Sequence, residues 1–161
     1  MELKPSAVGD GSTLLAGFYF QQGDKKLSEQ YRRRAAEYYE NEQRRSQLAL
    51  NFSEADNFIP HDVGADLLKE IQNQLNKAWG LSEAYLFRKV IEGTDSVYVL
   101  AFLAGNSWKD GRNAKHLEPL FNDLWNISVL PTPLVFLPFD LKYLELLPKV
   151  SAVPGSLIYK R

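Results

Sequence analysis

The sequence predicts an α+β fold: a small mixed or antiparallel sheet with two helices packed on it, preceded by an α-helical hairpin. Three observations carry that expectation. Residues 13–50 repeat apolar side chains at helical spacing. The pattern then changes to that of strands, alternating over residues 84–90 and apolar throughout over residues 97–103. A helical pattern returns at 113–126, and only short strand-like runs follow. Helices and strands therefore come in separate runs, not in strict β-α-β alternation.

Each element has its own signal. Residues 1–12 read as a loose start, with Pro5, Gly9 and Gly11. Ser12 or Thr13 can cap a short helix through Gln22 that contains Leu14, Leu15, Phe18 and Tyr19. Gly23-Asp24 reads as a C-cap followed by an N-cap. A longer helix is expected over residues 25–50, where Leu27, Tyr31, Ala35, Tyr38 and Tyr39 recur against a charged face. Residues 51–60 read as a linker, with Asn57 and Pro60 as breakers. The expected organisation is a helical extension over residues 1–56 and an α+β domain over residues 57–161.

A third helix is expected over residues 61–79, capped by Gly80. Its stripe is Val63, Leu67, Leu68, Ile71, Leu75 and Ala78, and Asp62 and Asp66 stand at its positive end. Residues 84–90 alternate as a half-buried strand does. Residues 97–103 are apolar throughout, the mark of a strand covered on both faces. With Glu92-Gly93-Thr94-Asp95 as the turn, these two should pair as a hairpin. Residues 113–126 form a fourth expected helix, with Leu117, Leu120, Phe121 and Leu124 inward. Short strands at 134–137 and 156–159, with a helical turn at 141–147, complete the list.

Composition bounds the function. The 45% apolar and 12% aromatic content suffices for a packed core, and the chain has no cysteine, so thiolate metal sites, disulfides and cysteine nucleophiles are excluded. The formal net charge is −1. A duplex-DNA binder needs a cationic excess to neutralise phosphates, and none is present overall. No basic-then-apolar leader opens the chain, and the longest apolar run, 97–104, is far shorter than the roughly 20 residues that span a bilayer. A cytoplasmic location and no membrane association are expected.

Motifs for chemistry are few. His61 and His116 are the only histidines and lie in different elements, so no local zinc spacing exists. Asp62 and Asp66 share a helix face, which suits dipole complementation better than paired acid–base work. No nucleophile elbow, phosphate loop or dinucleotide fingerprint is present. No catalytic residue, metal or cofactor is therefore assigned. Arg32-Arg33-Arg34 and Arg44-Arg45, with interleaved tyrosines, suggest an RNA surface over residues 25–45. Glu29, Glu37, Glu40 and Glu42 on the same helix favour a salt-bridged face instead. The aromatic surplus points elsewhere. Phe18, Tyr19 and Phe20 are consecutive and cannot all face one core, and Trp108 stands in a polar loop. Such residues are typical anchors of protein interfaces.

From residue 61 onward the order of patterns resembles the C-terminal domain of the enhanced serine sensitivity protein family, SseB. The residues that carry the resemblance are 67–79, Ala84-Tyr85-Leu86-Phe87, 97–102, 117–125, Leu130-Pro131, 134–136, and Pro154 through the Tyr159-Lys160-Arg161 tail. Residues 13–50 are similar to one tetratricopeptide helix pair, too few for a solenoid. The resemblance implies a regulatory or interaction protein without established catalytic residues. The expected function is a non-enzymatic bacterial protein–protein interaction module, regulatory or of the immunity (toxin-neutralising) type. Its partner-binding residues would be Trp108, Phe18, Tyr19 and Phe20. The partner is another protein of unknown identity, with a homodimer as a further option. The alternatives are a small enzyme assembled from His61, Asp62, Asp66 and His116, or an RNA-binding accessory protein.

Overall fold

The computed structural model describes residues 6–93, 95–105, 114–139 and 142–161, with backbone only for residues 6 and 114–117. The chain divides into two compact units, Met1–Leu48 and Ala49–Arg161.

The first unit is a helical hairpin of α1 (Ser6–Gln21) and α2 (Lys25–Leu50), of which Ala49 and Leu50 are counted with the second unit. The turn between them follows from Gly23 at φ 81°, a left-handed conformation that suits glycine. Gly23 N–H donates to the Phe20 carbonyl and Asp24 N–H to the Tyr19 carbonyl, which closes α1 as a Schellman motif. Asp24 then opens α2, its Oδ1 accepting from Leu27 N–H at 3.0 Å. The expected pair of caps at Gly23-Asp24 is present.

Helix α1 starts earlier than expected, at Ser6, and takes in both Gly9 and Gly11. Packing explains Gly9. A Cβ there would sit 2.5 Å from Tyr38 Cδ1, so the ring of α2 occupies the space a side chain would need. The seam between the helices is made of small groups. Ser12, Ala16, Ser28 and Ala35 are buried, and Ser28 Oγ donates to the Ala16 carbonyl at 2.9 Å. Tyr19 stacks on Tyr31 with centroids 5.6 Å apart.

The second unit holds β1 (Phe58–Pro60), α3 (Ala65–Leu75), β2 (Leu81–Glu92), β3 (Asp95–Ala104), α4 (Ala114–Trp125), β4 (Leu134–Pro138), a 3-10 turn (Leu144–Leu146), α5 (Leu147–Ser151) and β5 (Leu157–Lys160). Together these units give the predicted α+β fold with its N-terminal hairpin. The sheet is mixed. Strands β2 and β3 pair antiparallel along most of their length, and β4 lies parallel to β3 on its far side. Strands β1 and β5 both pair antiparallel with β2, β1 opposite residues 87–89 and β5 opposite residues 83–85.

The pleat sorts side chains onto two faces. Leu86, Leu100 and Phe102 turn to the face covered by α3 and α4, where Ile71, Leu75, Leu120 and Leu124 are buried. Tyr85, Phe87, Val99 and Ala101 turn to the other face, covered by Leu146, Val150 and Val153 of the C-terminal turns. This explains the unbroken apolar run of β3: both faces are dry.

Three details differ from the sequence expectation. Strand β1 lies inside the stretch read as a linker. Helix α3 begins at Ala65, because residues 61–64 hold no regular structure and Gly64, the residue that caps it, is extended. It ends at Leu75, and two further turns carry the chain to Gly80, which takes the left-handed conformation expected of a cap (φ 84°). Leu67, expected inward, is 38% exposed. No helix among the described residues is long and apolar enough to cross a membrane.

Candidate functional site

Chemistry needs convergent polar groups, and among its described residues the second unit holds three polar clusters. At one end of the α3/α4 face, Arg88 of β2 and Tyr98 of β3 both reach Asp62. Arg88 forms an ion pair with Asp62 at 3.1 Å and donates from Nε to the Pro60 carbonyl at 3.0 Å. The Tyr98 hydroxyl donates to Asp62 Oδ1. That bond holds the Asp62 carboxyl below its ordinary pKa, and the nearby guanidinium of Arg88 acts in the same direction. The same bond, followed by burial, raises the Tyr98 phenol. A carboxylate so satisfied is a poor proton acceptor. Its evident work is to tie residues 60–62 onto the sheet. His61 Nδ1 accepts from Val63 N–H at 3.3 Å, which fits a turn.

A second cluster lies on the opposite face. Lys89 is 2% exposed, and its ammonium meets Asp56 Oδ2 at 2.9 Å, the Asn51 carbonyl, and the ring of Phe52 at 4.5 Å. Lys149 donates to the Glu54 and Asp56 carbonyls. Two lysines therefore clamp residues 51–56, and the charge that β2 buries is paired as burial demands. A third cluster joins Glu83, Tyr85 and Lys160. The Tyr85 hydroxyl donates to Glu83 at 2.6 Å, and Lys160 of β5 pairs with Glu83 at 2.9 Å. Both lower the Glu83 pKa, the tyrosine bond more than the lysine.

Among the described residues the Asp62 and Glu83 clusters line neither of two surface hollows, whereas Asp56 and Lys149 of the second cluster border one of them. One hollow of about 730 Å³ runs along α2 and is lined by Lys26, Glu29, Tyr31, Arg33, Arg34 and Glu37. Its charges alternate in sign, unlike a phosphate-binding groove, and Arg33 pairs with Glu29 at 3.6 Å. Another of about 450 Å³ lies beside Asp56, Phe58 and Lys149. Neither contains His61, Asp62 or Asp66. Asp66 is exposed in the first turn of α3, away from the Asp62 bonds, and the His116 side chain lies outside the described residues. Among the described residues no group of three His, Asp or Glu is placed to hold a metal ion.

The aromatic surface is more informative. Phe18 and Phe20 are 52% and 58% exposed, while Tyr19 turns inward onto Tyr31. The Arg32 guanidinium lies over the Phe20 ring at 5.6 Å. The trio thus splits, as three consecutive helical residues must. Trp108 lies outside the described residues. Among the described residues the most exposed rings are two that the sequence reading did not offer as binding residues. Trp79 is 79% exposed and Trp125 is 72% exposed. Trp79 N–H donates to the Asp123 carboxylate of α4 at 3.3 Å, but positions 123 and 125 lie on different sides of the helix, so this bond does not bring the two indoles together. Trp125 rests on Phe136 of β4 at 5.7 Å, and Phe136 in turn meets Phe121 at the same distance. In the sequence Trp79 reads only as the last residue of the third expected helix, outside its apolar stripe. That position, next to the cap at Gly80 and off the stripe, is the signal from which its exposure could have been read.

No protein-family model matches the chain, and neither does any curated protein or any solved structure.

Proposed function

We propose that this protein is a non-enzymatic protein-interaction module, of the regulatory or immunity type, which engages its partner through the exposed tryptophans of the second unit. The observation that carries this reading is the exposure of two tryptophans, Trp79 and Trp125, on one packed unit. An exposed indole on a rigid element costs little entropy to immobilise and offers a large area to bury, which is why tryptophan is enriched at binding hot spots. Phe18 and Phe20 on α1 offer a second such surface. The order of patterns from residue 61 that resembles the SseB C-terminal domain supports an interaction role in the same direction. The polar clusters add no competing chemistry, since their carboxylates are bonded to neighbours in structural roles.

The test is affinity capture from the native cell lysate with the tagged chain and with the Trp79→Ala/Trp125→Ala double variant. The expected result is a stoichiometric partner that the wild type retains in high salt and the variant binds at least roughly tenfold more weakly, as loss of a hot spot predicts. The variant should keep its thermal midpoint, because both rings are mostly in water. Undiminished capture by the double variant would overturn the assignment of these residues.

A further inference from the structure

Strand β4 pairs on one side only among the described residues. The register sets which backbone groups face outward. Tyr98 N–H donates to the Pro133 carbonyl and Phe139 N–H to the Phe102 carbonyl, so Val135 and Leu137 turn their backbone groups toward β3. Leu134, Phe136 and Pro138 therefore point theirs away from the sheet, and no described residue meets them there. Proline stands at an outward position, where its missing N–H disrupts no bond to β3. Sheet edges are normally protected by charge. Here, from Trp125 through Phe139, the chain carries no charged side chain.

We infer that this edge pairs with the same edge of a second copy of the chain, antiparallel about a two-fold axis through Phe136. The donor pattern fits that occupant. In an antiparallel hydrogen-bonded pair two residues exchange both bonds, so each Phe136 would give to and accept from its counterpart. Each Leu134 N–H would reach the Pro138 carbonyl of the other copy. Every outward donor finds an acceptor, and the absent donor of Pro138 falls at the end of the ladder, where water can serve the Leu134 carbonyl. Such an isologous contact requires a patch that tolerates itself. An edge without charge meets this condition, since two copies bring no like charges together. Leu134 and Phe136 direct their side chains to the α4 face, so the two Trp125–Phe136 stacks would come to lie on the same face of one continuous sheet, near the axis.

This goes beyond the heterologous partner proposed above and stands apart from it. The experiment is light scattering of the full chain across a dilution series, combined with hydrogen–deuterium exchange of residues 134–138 at the two ends of that series. The expected result is a mass that doubles with concentration, with the Leu134 and Phe136 amides exchanging freely in the dilute sample and protected in the concentrated one. The Phe136→Pro variant, which removes an outward donor and keeps the bonds to β3, should remain monomeric. A chain that stays monomeric throughout overturns the inference without touching the tryptophan reading. So does a dimer in which exchange at 134–138 is unchanged by concentration, a readout that needs no variant to fold.

Discussion

The two units bury their apolar residues in opposite ways. In the sheet unit the large side chains go inside: Phe87, Leu86, Leu100 and Ile71 are fully buried, held between layers on both faces of one sheet. In the hairpin the small ones go inside: Ser12, Ala16, Ser28 and Ala35 form the seam, while Leu14, Phe18 and Phe20 stand 75%, 52% and 58% exposed. A sheet has two faces to dry, and this chain supplies a layer for each. Two helices have only the line where they touch, and there close approach favours small groups. Large residues on such a pair are left outside, so the hairpin relies on caps and hydrogen bonds more than on buried area.

Substitutions separate the two modes. The largest effect is expected in the sheet unit at Lys89. Lys89→Ala removes a buried cation from Asp56 and should cost about 3 kcal/mol, measured as a fall in the urea midpoint. Lys89→Met keeps an apolar stem against Phe52 and should cost less. In the hairpin a single type of change should act with both signs. Gly9→Ala drives a methyl into the Tyr38 ring and should destabilise by about 1–2 kcal/mol. Gly17→Ala meets nothing within 4 Å and should stabilise by up to about 1 kcal/mol through helix propensity. Hydrogen exchange confined to residues 6–48 reads both. Equal effects at the two glycines would mean that the seam does not exist as described.

The smallest effect concerns acid. Glu83 has a folded pKa below its ordinary value, so its contribution is complete above the normal carboxylate range and is lost as pH falls through that lowered value. Asp62 acts with the same sign. Glu83→Gln should therefore lower the thermal midpoint a little at neutral pH and flatten its decline toward acid pH, where the two proteins converge. An unchanged acid limb would remove Glu83 from the bonds that hold β5.

Much of the fold was legible because its signals are local. The dry run of β3 and the cap at Gly23-Asp24 each reflect neighbours within a few residues, whereas residues 84–90, read as a half-buried strand, are covered on both faces, with Ala84 and Leu86 in one core and Tyr85 and Phe87 in the other. What was hidden depends on distant partners. Gly9 and Gly11 resemble a loop until Tyr38, 29 positions after Gly9, explains why the first is a glycine. Strand β1 has three residues and no periodicity to reveal; its partner strand and the two lysine clamps make it a strand. The candidate site was legible only in kind. An aromatic surplus was visible, and Phe18 and Phe20 do face water. Trp79 and Trp125 could not be separated from core residues by spacing, since exposure depends on where α3 stops and on what α4 leaves uncovered.

Strands β1 and β5 lie head to tail along one edge of β2, so that residues 58–60 and 157–160 tile it like two pieces of a single broken strand. Nearly a hundred intervening residues separate pieces that end up in line. Strand β2 is thus the common ruler for three neighbours: β3 on one side and the two tiles on the other. A one-residue insertion within it would turn its side chains to the wrong face and shift the alignment of all three. Loops elsewhere in the unit can lengthen at a cost that grows only slowly with length. In the sheet unit, tolerance to insertion should therefore be lowest in β2, between Ala84 and Lys89.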